Sequence, residues 1–261
     1  MTKPVALTIA GSDPSGGAGL QADLKTFHQF GVYGMSVVSL LTIQNTMQVS
    51  SVDPLDPDYV ARQLDAVTSD IPPQAAKTGA LGTPEIIEAV ARWAAKGSCP
   101  LVVDPVMVSK QGASLMVDEA RRVLLKRLLP HAALVTPNLP EAAALTGREI
   151  TGLDDMRSAA RRIADLGPKA VLIKGGHLGA DQDATDLLYV DGMEEIFTSQ
   201  RYKTVHTHGT GCTFSAAITA ELAKGTDLAA AVRTAKRYIS EAIATSPGLG
   251  RGSGPVNHHA E

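Results

Sequence analysis

Short apolar runs alternate with longer stretches of helical period along the whole chain. Val5–Ala10 reads as a buried strand, and Gly19–Phe30 as a helix with Leu20, Leu24 and Phe27 on one face. Ser36–Ile43 is strand-like. Pro57–Ile71 is helical, because Val60, Leu64, Val67 and Ile71 recur at helical spacing. The same reading gives a strand at Gln74–Thr78, a proline-opened helix at Pro84–Lys96 and a strand at Leu101–Val103 that ends on Asp104. A helix over Met116–Leu129, a strand over Leu134–Thr136 and a helix over Asp154–Leu166 follow. Ala170–Ile173 is a strand ending on Lys174, and Leu187–Val190 and Glu195–Thr198 form a hairpin about Asp191-Gly192. Two helices, Thr213–Lys224 and Leu228–Thr245, close the pattern.

This alternation predicts an α/β fold with a mostly parallel central sheet and helices on both faces. No internal repeat or long linker divides it, so residues 1–261 read as one domain. Residues 246–261, rich in Gly, Pro and His, read as an extended and partly mobile tail. Ligands in such folds bind beyond the carboxyl ends of the strands. Polar residues collect there: Ser12-Asp13, Gln44-Asn45, Lys77-Thr78-Gly79, Asp104, Asn138 and Lys174.

Composition narrows the partners. The net charge is -3 and aromatics are 4% of the 261 residues, with no basic block, so nucleic acid is not an expected partner. No apolar run is long enough to span a membrane, and the N-terminus lacks a signal-peptide core. Two cysteines, Cys99 and Cys212, exclude a disulfide framework and point to the cytoplasm.

The most specific segment is His208-Gly209-Thr210-Gly211-Cys212-Thr213, which leads into an apolar, alanine-rich helix. Such a loop presents unpaired N–H groups at a helix N-terminus, where the dipole favours phosphate. Cys212 would sit where a thiol is most readily ionised. The turn Gly11–Gly19 matches neither the dinucleotide fingerprint nor a P-loop, and suits close approach of a small substrate to the backbone. Asp23 follows on the next helix, where an ordinary surface carboxylate is the simpler reading. The Gln44 amide offers donor beside acceptor, the complement of an aminopyrimidine edge, while Asn45 has the option of bonding its own backbone. Asn138-Leu139-Pro140-Glu141 has the form of a capping box, and equally of an amide and carboxylate that orient Mg²⁺ directly or through water. Lys174 at a strand end is placed to meet phosphate as a point charge, with a solvated strand end as the alternative. Lys236, beside Arg233 and Arg237, reads by itself as part of a wet helix face. The histidines form no zinc signature and there is no G-x-S-x-G elbow.

Taken in order, eight motifs resemble the ribokinase superfamily, and within it the bacterial hydroxymethylpyrimidine/phosphomethylpyrimidine kinases of thiamine biosynthesis. They are Ala10–Asp13, Gly16–Asp23, Gln44–Thr46, Lys77–Gly79, Val103–Met107, Thr136–Glu141, Lys174–His177 and Thr207–Thr213. The resemblance implies a ribokinase-like three-layer fold, usually dimeric, that uses ATP and Mg²⁺. Two phosphorylations are implied, first of 4-amino-5-hydroxymethyl-2-methylpyrimidine and then of its monophosphate. Asp23 and Gln44 would hold the pyrimidine, with Gly11 and Gly79 beside it. Asn138 and Glu141 would organise Mg²⁺ near Asp104. Lys174 and Lys236, with Asn138, would contact ATP. Gly209, Thr210, Gly211 and Cys212 would form the anion hole. Most sugar kinases of the superfamily place aspartate where Cys212 stands, which suggests a late general base ionised by its helix. Kinases of pyridoxal-type vitamins are the nearest alternative, and a non-catalytic pyrimidine-binding protein a more distant one.

Overall fold

The computed structural model describes residues 3–110, 112–113, 115–176 and 183–261. His177, the last residue of one matched motif, lies outside the described residues. Among the described residues nine strands form one sheet: β1 (Val5–Ser12), β2 (Tyr33–Gln44), β3 (Val49–Pro54), β4 (Ala75–Thr78), β5 (Leu101–Val103), β6 (Leu134–Val135), β7 (Ala170–Lys174), β8 (Ala184–Val190) and β9 (Met193–Ser199). Their order is β3-β2-β1-β4-β5-β6-β7-β8-β9. The six strands from β2 to β7 run parallel, and β3, β8 and β9 are antiparallel additions at the two edges.

Successive strand side chains point to opposite faces, and here both faces are apolar because both are covered. Leu7, Ile9, Val103, Val135, Val171 and Ile173 pack with α2 (Pro57–Asp70), α3 (Pro84–Ala94), α4 (Asp118–Val123), α5 (Leu139–Thr146) and α6 (Leu153–Ala164). Their neighbours Ala6, Val102, Leu134, Ala170 and Leu172 pack on the other face with α1 (Gly19–Gln29), α7 (Thr210–Ala223) and α8 (Leu228–Ala244). The three-layer expectation holds, and the parallel strands deliver their carboxyl ends to one rim.

Local chemistry sets the helix boundaries. Asp56, Thr83 and Asp227 each cap a helix by accepting from a backbone N–H, and Pro57 and Pro84 occupy first-turn positions. Three expectations change. Val49–Pro54 forms a strand that its mixed polarity and terminal proline conceal. The helix expected over Met116–Leu129 begins at Asp118, passes through a π turn at Leu124–Leu128 and ends in a 3₁₀ turn that contains Pro130, which has no N–H to continue an α-helix. The helix expected from Thr213 starts three residues earlier, at Thr210.

The final segment has neither helix nor strand. It is nonetheless tied down, because Val256, His258 and Ala260 are buried. The Asn257 N–H donates to the Ala242 carbonyl, and Tyr238 Oη donates to the His258 carbonyl. His258 Nε2 lies 3.2 Å from Thr213 Oγ1 in the first turns of α7.

That anchor predicts an acid limb to the protein's stability. Burial first, then electrostatic interaction with Lys25, His259 and His208, lowers the His258 pKa from 6.5 to about 4. Between those values the unfolded chain binds a proton that the folded chain refuses, so stability should fall as pH drops from 6.5 towards 4. Urea denaturation at pH 7 and pH 5 should show a smaller loss for His258→Gln than for the wild type. Equal losses would remove His258 from the acid response.

Candidate active site

The rim at the carboxyl ends of the parallel strands gathers the charged residues. Asp104 follows β5, and its carboxylate is buried. Lys174 ends β7 and donates from Nζ to Asp104 Oδ1 at 2.9 Å. Thr136 and Ser215 hydroxyls donate to the same carboxylate. Burial works against the Lys174 ammonium, but Asp104 and then Glu141 outweigh it and raise its pKa. This pair lies over the first turn of α7: a Cβ on Gly211 would sit 3.3 Å from Lys174 Nζ and 3.8 Å from Asp104 Oδ2. The structure therefore brings the glycine loop, Lys174 and Asp104 together.

Asn138 and Glu141 form the full capping box of α5. The Glu141 N–H donates to Asn138 Oδ1 at 2.9 Å, and the Asn138 N–H donates to Glu141 Oε2 at 2.8 Å. Burial pushes the Glu141 carboxyl up to about 7; Lys174 opposes this and Asp104 adds to it. The cap leaves the Asn138 side-chain NH₂ group and one Glu141 oxygen outside that exchange. No group of three or more His, Cys, Asp or Glu able to hold a metal occurs among the described residues. Asp104 and Glu141, with an amide oxygen nearby, match instead the few oxygen ligands that Mg²⁺ takes when waters and phosphates complete its shell.

The acceptor side is built from two glycine turns in contact. Gly209 caps α7 with a φ of 79°, and a Cβ there would lie 1.8 Å from the Gly17 carbonyl oxygen. A Cβ on Gly19, φ 55°, would lie 2.3 Å from the Gly11 carbonyl oxygen. Both positions need glycine for approach and for conformation. Gly11 itself has no room for a side chain beside Leu40, and Gly79 packs against Ala10 with Lys77 Nζ just beyond. Gln44 ends β2 on the same rim, while Asn45 Oδ1 accepts from the Met47 and Gln48 N–H groups as a turn residue. Thr210 Oγ1 donates to the Thr207 carbonyl and closes the loop into the helix.

Three residues stand differently from expectation. Asp23 is neither a surface carboxylate nor open to a ligand: it is fully buried, accepting from Lys77 Nζ at 2.9 Å and Thr8 Oγ1 at 2.6 Å. Lys236 is not on a wet face and its ammonium is already committed, donating to Asp186 Oδ2 at 2.7 Å and the Ala184 carbonyl at 2.9 Å. It borders a cavity of about 960 Å³ between β9 and α8, lined also by Phe197, Tyr202, Arg233 and Arg237. Asp186 Oδ1 in turn accepts from the Gly175 N–H, which links this cavity to the strand end that carries Lys174. The third is Cys212. Burial pushes its thiol up to about 12; Lys77 pulls it back, while Asp23 and Asp104 push it further. The helix N-terminus and the Gly19 N–H, which bonds the sulfur, do not overcome this. Burial and the two carboxylates outweigh Lys77 and the Gly19 N–H, a balance that favours the thiol over a resting thiolate.

The structure also gives places to residues that carried no role in the sequence reading. Lys77 is fully buried in β4, and although burial opposes its charge, Asp23 and then Cys212 and Asp104 raise its pKa. Its signal was a lysine inside a short apolar strand. Asp13 and His208 form a buried pair at 2.8 Å. Burial opposes the charge on Asp13, but hydrogen bonds from His208, Ser15 and Gln44 outweigh it and hold its carboxyl well below the usual range.

A three-layer domain with paired cations at a glycine-bounded helix N-terminus defines a ribokinase-like kinase. The chain belongs to the phosphomethylpyrimidine kinase family, whose model matches residues 13–257. It is 49% identical over 263 residues to the hydroxymethylpyrimidine/phosphomethylpyrimidine kinase of Staphylococcus aureus strain Mu50, covering 100% of this chain and 95% of that one. The crystal structure of phosphomethylpyrimidine kinase from Clostridium difficile 630 superposes with a TM-score of 0.82 at 46% identity, covering 92% of this chain and 100% of that one. The pyridoxal kinase from Staphylococcus aureus in complex with AMP-PCP and pyridoxal superposes with a TM-score of 0.90 at 40% identity, covering 99% and 95%.

The neutral thiol is directly testable. In a Cys99→Ala background, iodoacetamide should alkylate Cys212 slowly at pH 7, and the rate should climb through pH 10 without levelling. A plateau below pH 8 would mean a depressed pKa and restore the thiolate.

Proposed function

We propose that this protein transfers the terminal phosphoryl group of ATP to the hydroxymethyl group of 4-amino-5-hydroxymethyl-2-methylpyrimidine, and then to the resulting monophosphate, in thiamine biosynthesis. The single observation behind the reading is the Lys174–Asp104 pair set over the side-chain-free first turn of α7, with Glu141 beside it. A pure binder of pyrimidines has no use for that machinery. Residues 1–261 act as one kinase domain, in the cytoplasm and as a homodimer. The exposed apolar side chains Leu41, Ile43 and Met47 on the β2–β3 hairpin are where a second copy would bury area.

Bound here, Mg²⁺ would supply charge neutralisation for the phosphates. Asp104 and Glu141 would hold it, with Asn138 beside them. Lys174 has a phosphate to turn to, and the pair it makes with Asp104 keeps its ammonium charged until then. The backbone N–H groups of Gly209, Gly211 and Cys212 would meet the charge that develops in the transition state, while that of Thr210 donates to the Thr207 carbonyl and closes the loop. Gln44 would present donor beside acceptor to the aminopyrimidine, between the Gly11 turn and the Gly79 loop. Asp23 would act from beneath, by fixing Lys77 near Cys212. Cys212 would contact the acceptor hydroxyl as a neutral partner. A loose transition state does not need an early base, because positioning and charge neutralisation do most of the work. The nucleoside would occupy the cavity along α8, which would bring Lys236 into the ATP site as part of its wall.

Pyridoxal is the second acceptor to test, since a pyridoxal kinase superposes closely. Incubation with ATP, Mg²⁺ and each acceptor, followed by mass spectrometry, should give the pyrimidine monophosphate and then the diphosphate. Product from pyridoxal alone would reassign the acceptor, and no product from either would overturn the kinase reading. Gln44→Leu should lower kcat/KM for the pyrimidine by about tenfold to a hundredfold, the effect of leaving a buried polar edge unpaired at about 1–3 kcal/mol. An unchanged kcat/KM would place Gln44 outside the pocket.

A further inference from the structure

Asp13 and His208 touch no substrate in the chemistry above, although the Gln44 side chain hydrogen-bonds Asp13, and their side chains are among the most thoroughly engaged in the molecule. Asp13 is 1% exposed and His208 3%. Asp13 Oδ1 accepts from the N–H and hydroxyl of Ser15 at 2.8 and 2.7 Å. Its Oδ2 accepts from the Gly17 and Ala18 N–H groups at 3.2 and 2.8 Å and faces His208 Nε2 at 2.8 Å. The carboxylate therefore holds the whole turn that precedes α1.

His208 is held just as firmly from the other side. Its N–H donates to the Gly254 carbonyl, and its carbonyl accepts from the Val256 N–H. The same C-terminal segment reaches Thr46, whose carbonyl accepts from the Ser253 N–H, and His206, whose Nδ1 accepts from the Gly254 N–H. His208 Nδ1 is buried without a partner. Since an ionised carboxylate only accepts, Nε2 must carry the hydrogen that faces it. That contact is the one side-chain bond the His208 ring makes among the described residues.

The next residue, Gly209, opens the anion hole, and the turn held by Asp13 ends at Gly19, whose N–H bonds the Cys212 sulfur. Asp13 and His208 thus join the turn on the acceptor side to the loop on the phosphate side. We propose that Asp13 and His208 are positioning residues for phosphoryl transfer: their contact, fixed from behind by the C-terminal segment, sets the distance between the acceptor turn and the anion hole. This rests on the kinase reading of that site. In-line transfer depends on such a distance, and a displacement of about 1 Å is enough to lower the rate on the order of a hundredfold.

The test uses Asp13→Asn, His208→Leu and His208→Gln in the full-length protein, with kcat, KM for ATP and Cys212 alkylation as readouts. Asp13→Asn and His208→Leu should each lower kcat on the order of a hundredfold while KM for ATP stays within about twofold, because the Lys174 side of the site is untouched. His208→Gln, whose amide N–H can reach the Nε2 position, should recover most of kcat. Both damaging variants should also speed alkylation of Cys212, since the Gly19 N–H no longer covers the sulfur. Near-normal kcat in the damaging variants, or equal loss in His208→Gln and His208→Leu, would overturn the proposal. If Asp13→Asn does not fold, Gly254→Ala serves instead, because a Cβ there would lie 2.3 Å from the Leu249 carbonyl oxygen and 2.5 Å from His206 Nδ1. It should lower kcat with KM for ATP preserved, and an unchanged kcat would overturn the role of the strap. The alkylation readout needs no turnover. Faster alkylation in the variants with no product from the wild type would refute the kinase reading alone; unaltered alkylation would refute the positioning contact.

Discussion

Positive charge must be kept ready for phosphate inside a rim that excludes water, and that constraint organises the rest of the structure. An unpaired buried ammonium is costly, so each cation has a carboxylate supplied by a different element. Lys77 of β4 meets Asp23 of α1, Lys174 of β7 meets Asp104 beyond β5, and Lys236 of α8 meets Asp186 of β8. His208 meets Asp13. Such pairs add little net stability, because desolvation offsets most of the attraction. What they do is fix the register of strand ends that few backbone bonds could fix; β6, for example, pairs with β7 through a single Val135–Val171 bridge.

The second requirement is that a helix reach the same rim without a wall of side chains. α7 is buried along nearly its whole length, against the sheet and between α1 and α8. Its small residues Ala216, Ala217, Ala220 and Ala223 permit that approach, and Gly209 and Gly211 extend it to the N-terminus. A helix that is apolar all round is a core element. Here its buried position sets the side-chain-free Gly211 of its first turn against Lys174 and Asp104.

These two requirements explain what the sequence showed and what it hid. The strands at Val5, Ala75, Leu101 and Ala170 were legible because both faces are covered and the runs are mostly apolar. The candidate residues were legible because they fall at the ends of those runs. Hidden were the features set by distant partners. Asp23 looks like a surface carboxylate until Lys77, 54 residues away, is seen to lie against it. The edge strand Val49–Pro54 is stabilised by its pairing with β2 and carries no alternation of its own. Lys236 reads as solvent-facing beside two arginines because its acid partner lies on another strand. The tail reads as loose because its anchors at Thr46 and His208 are far away in the chain.

The same electrostatic balance accounts for a cysteine at a position where an aspartate is expected of a sugar kinase. At Cys212 burial raises the pKa most, Lys77 pulls it back, and Asp23 and Asp104 raise it again, with Glu141 close to Asp104. A carboxylate there would be a further like charge in a rim whose lysines are already matched, and its ionisation would compete with the incoming phosphate. A thiol fills the space, accepts the Gly19 N–H and remains neutral. An uncharged residue 212 would leave Lys174, held by Asp104, and the N–H groups of Gly211 and Cys212 without a competing anion beside them. The chemistry then rests on preorganised donors and on the alignment of two turns more than on the strength of any single base.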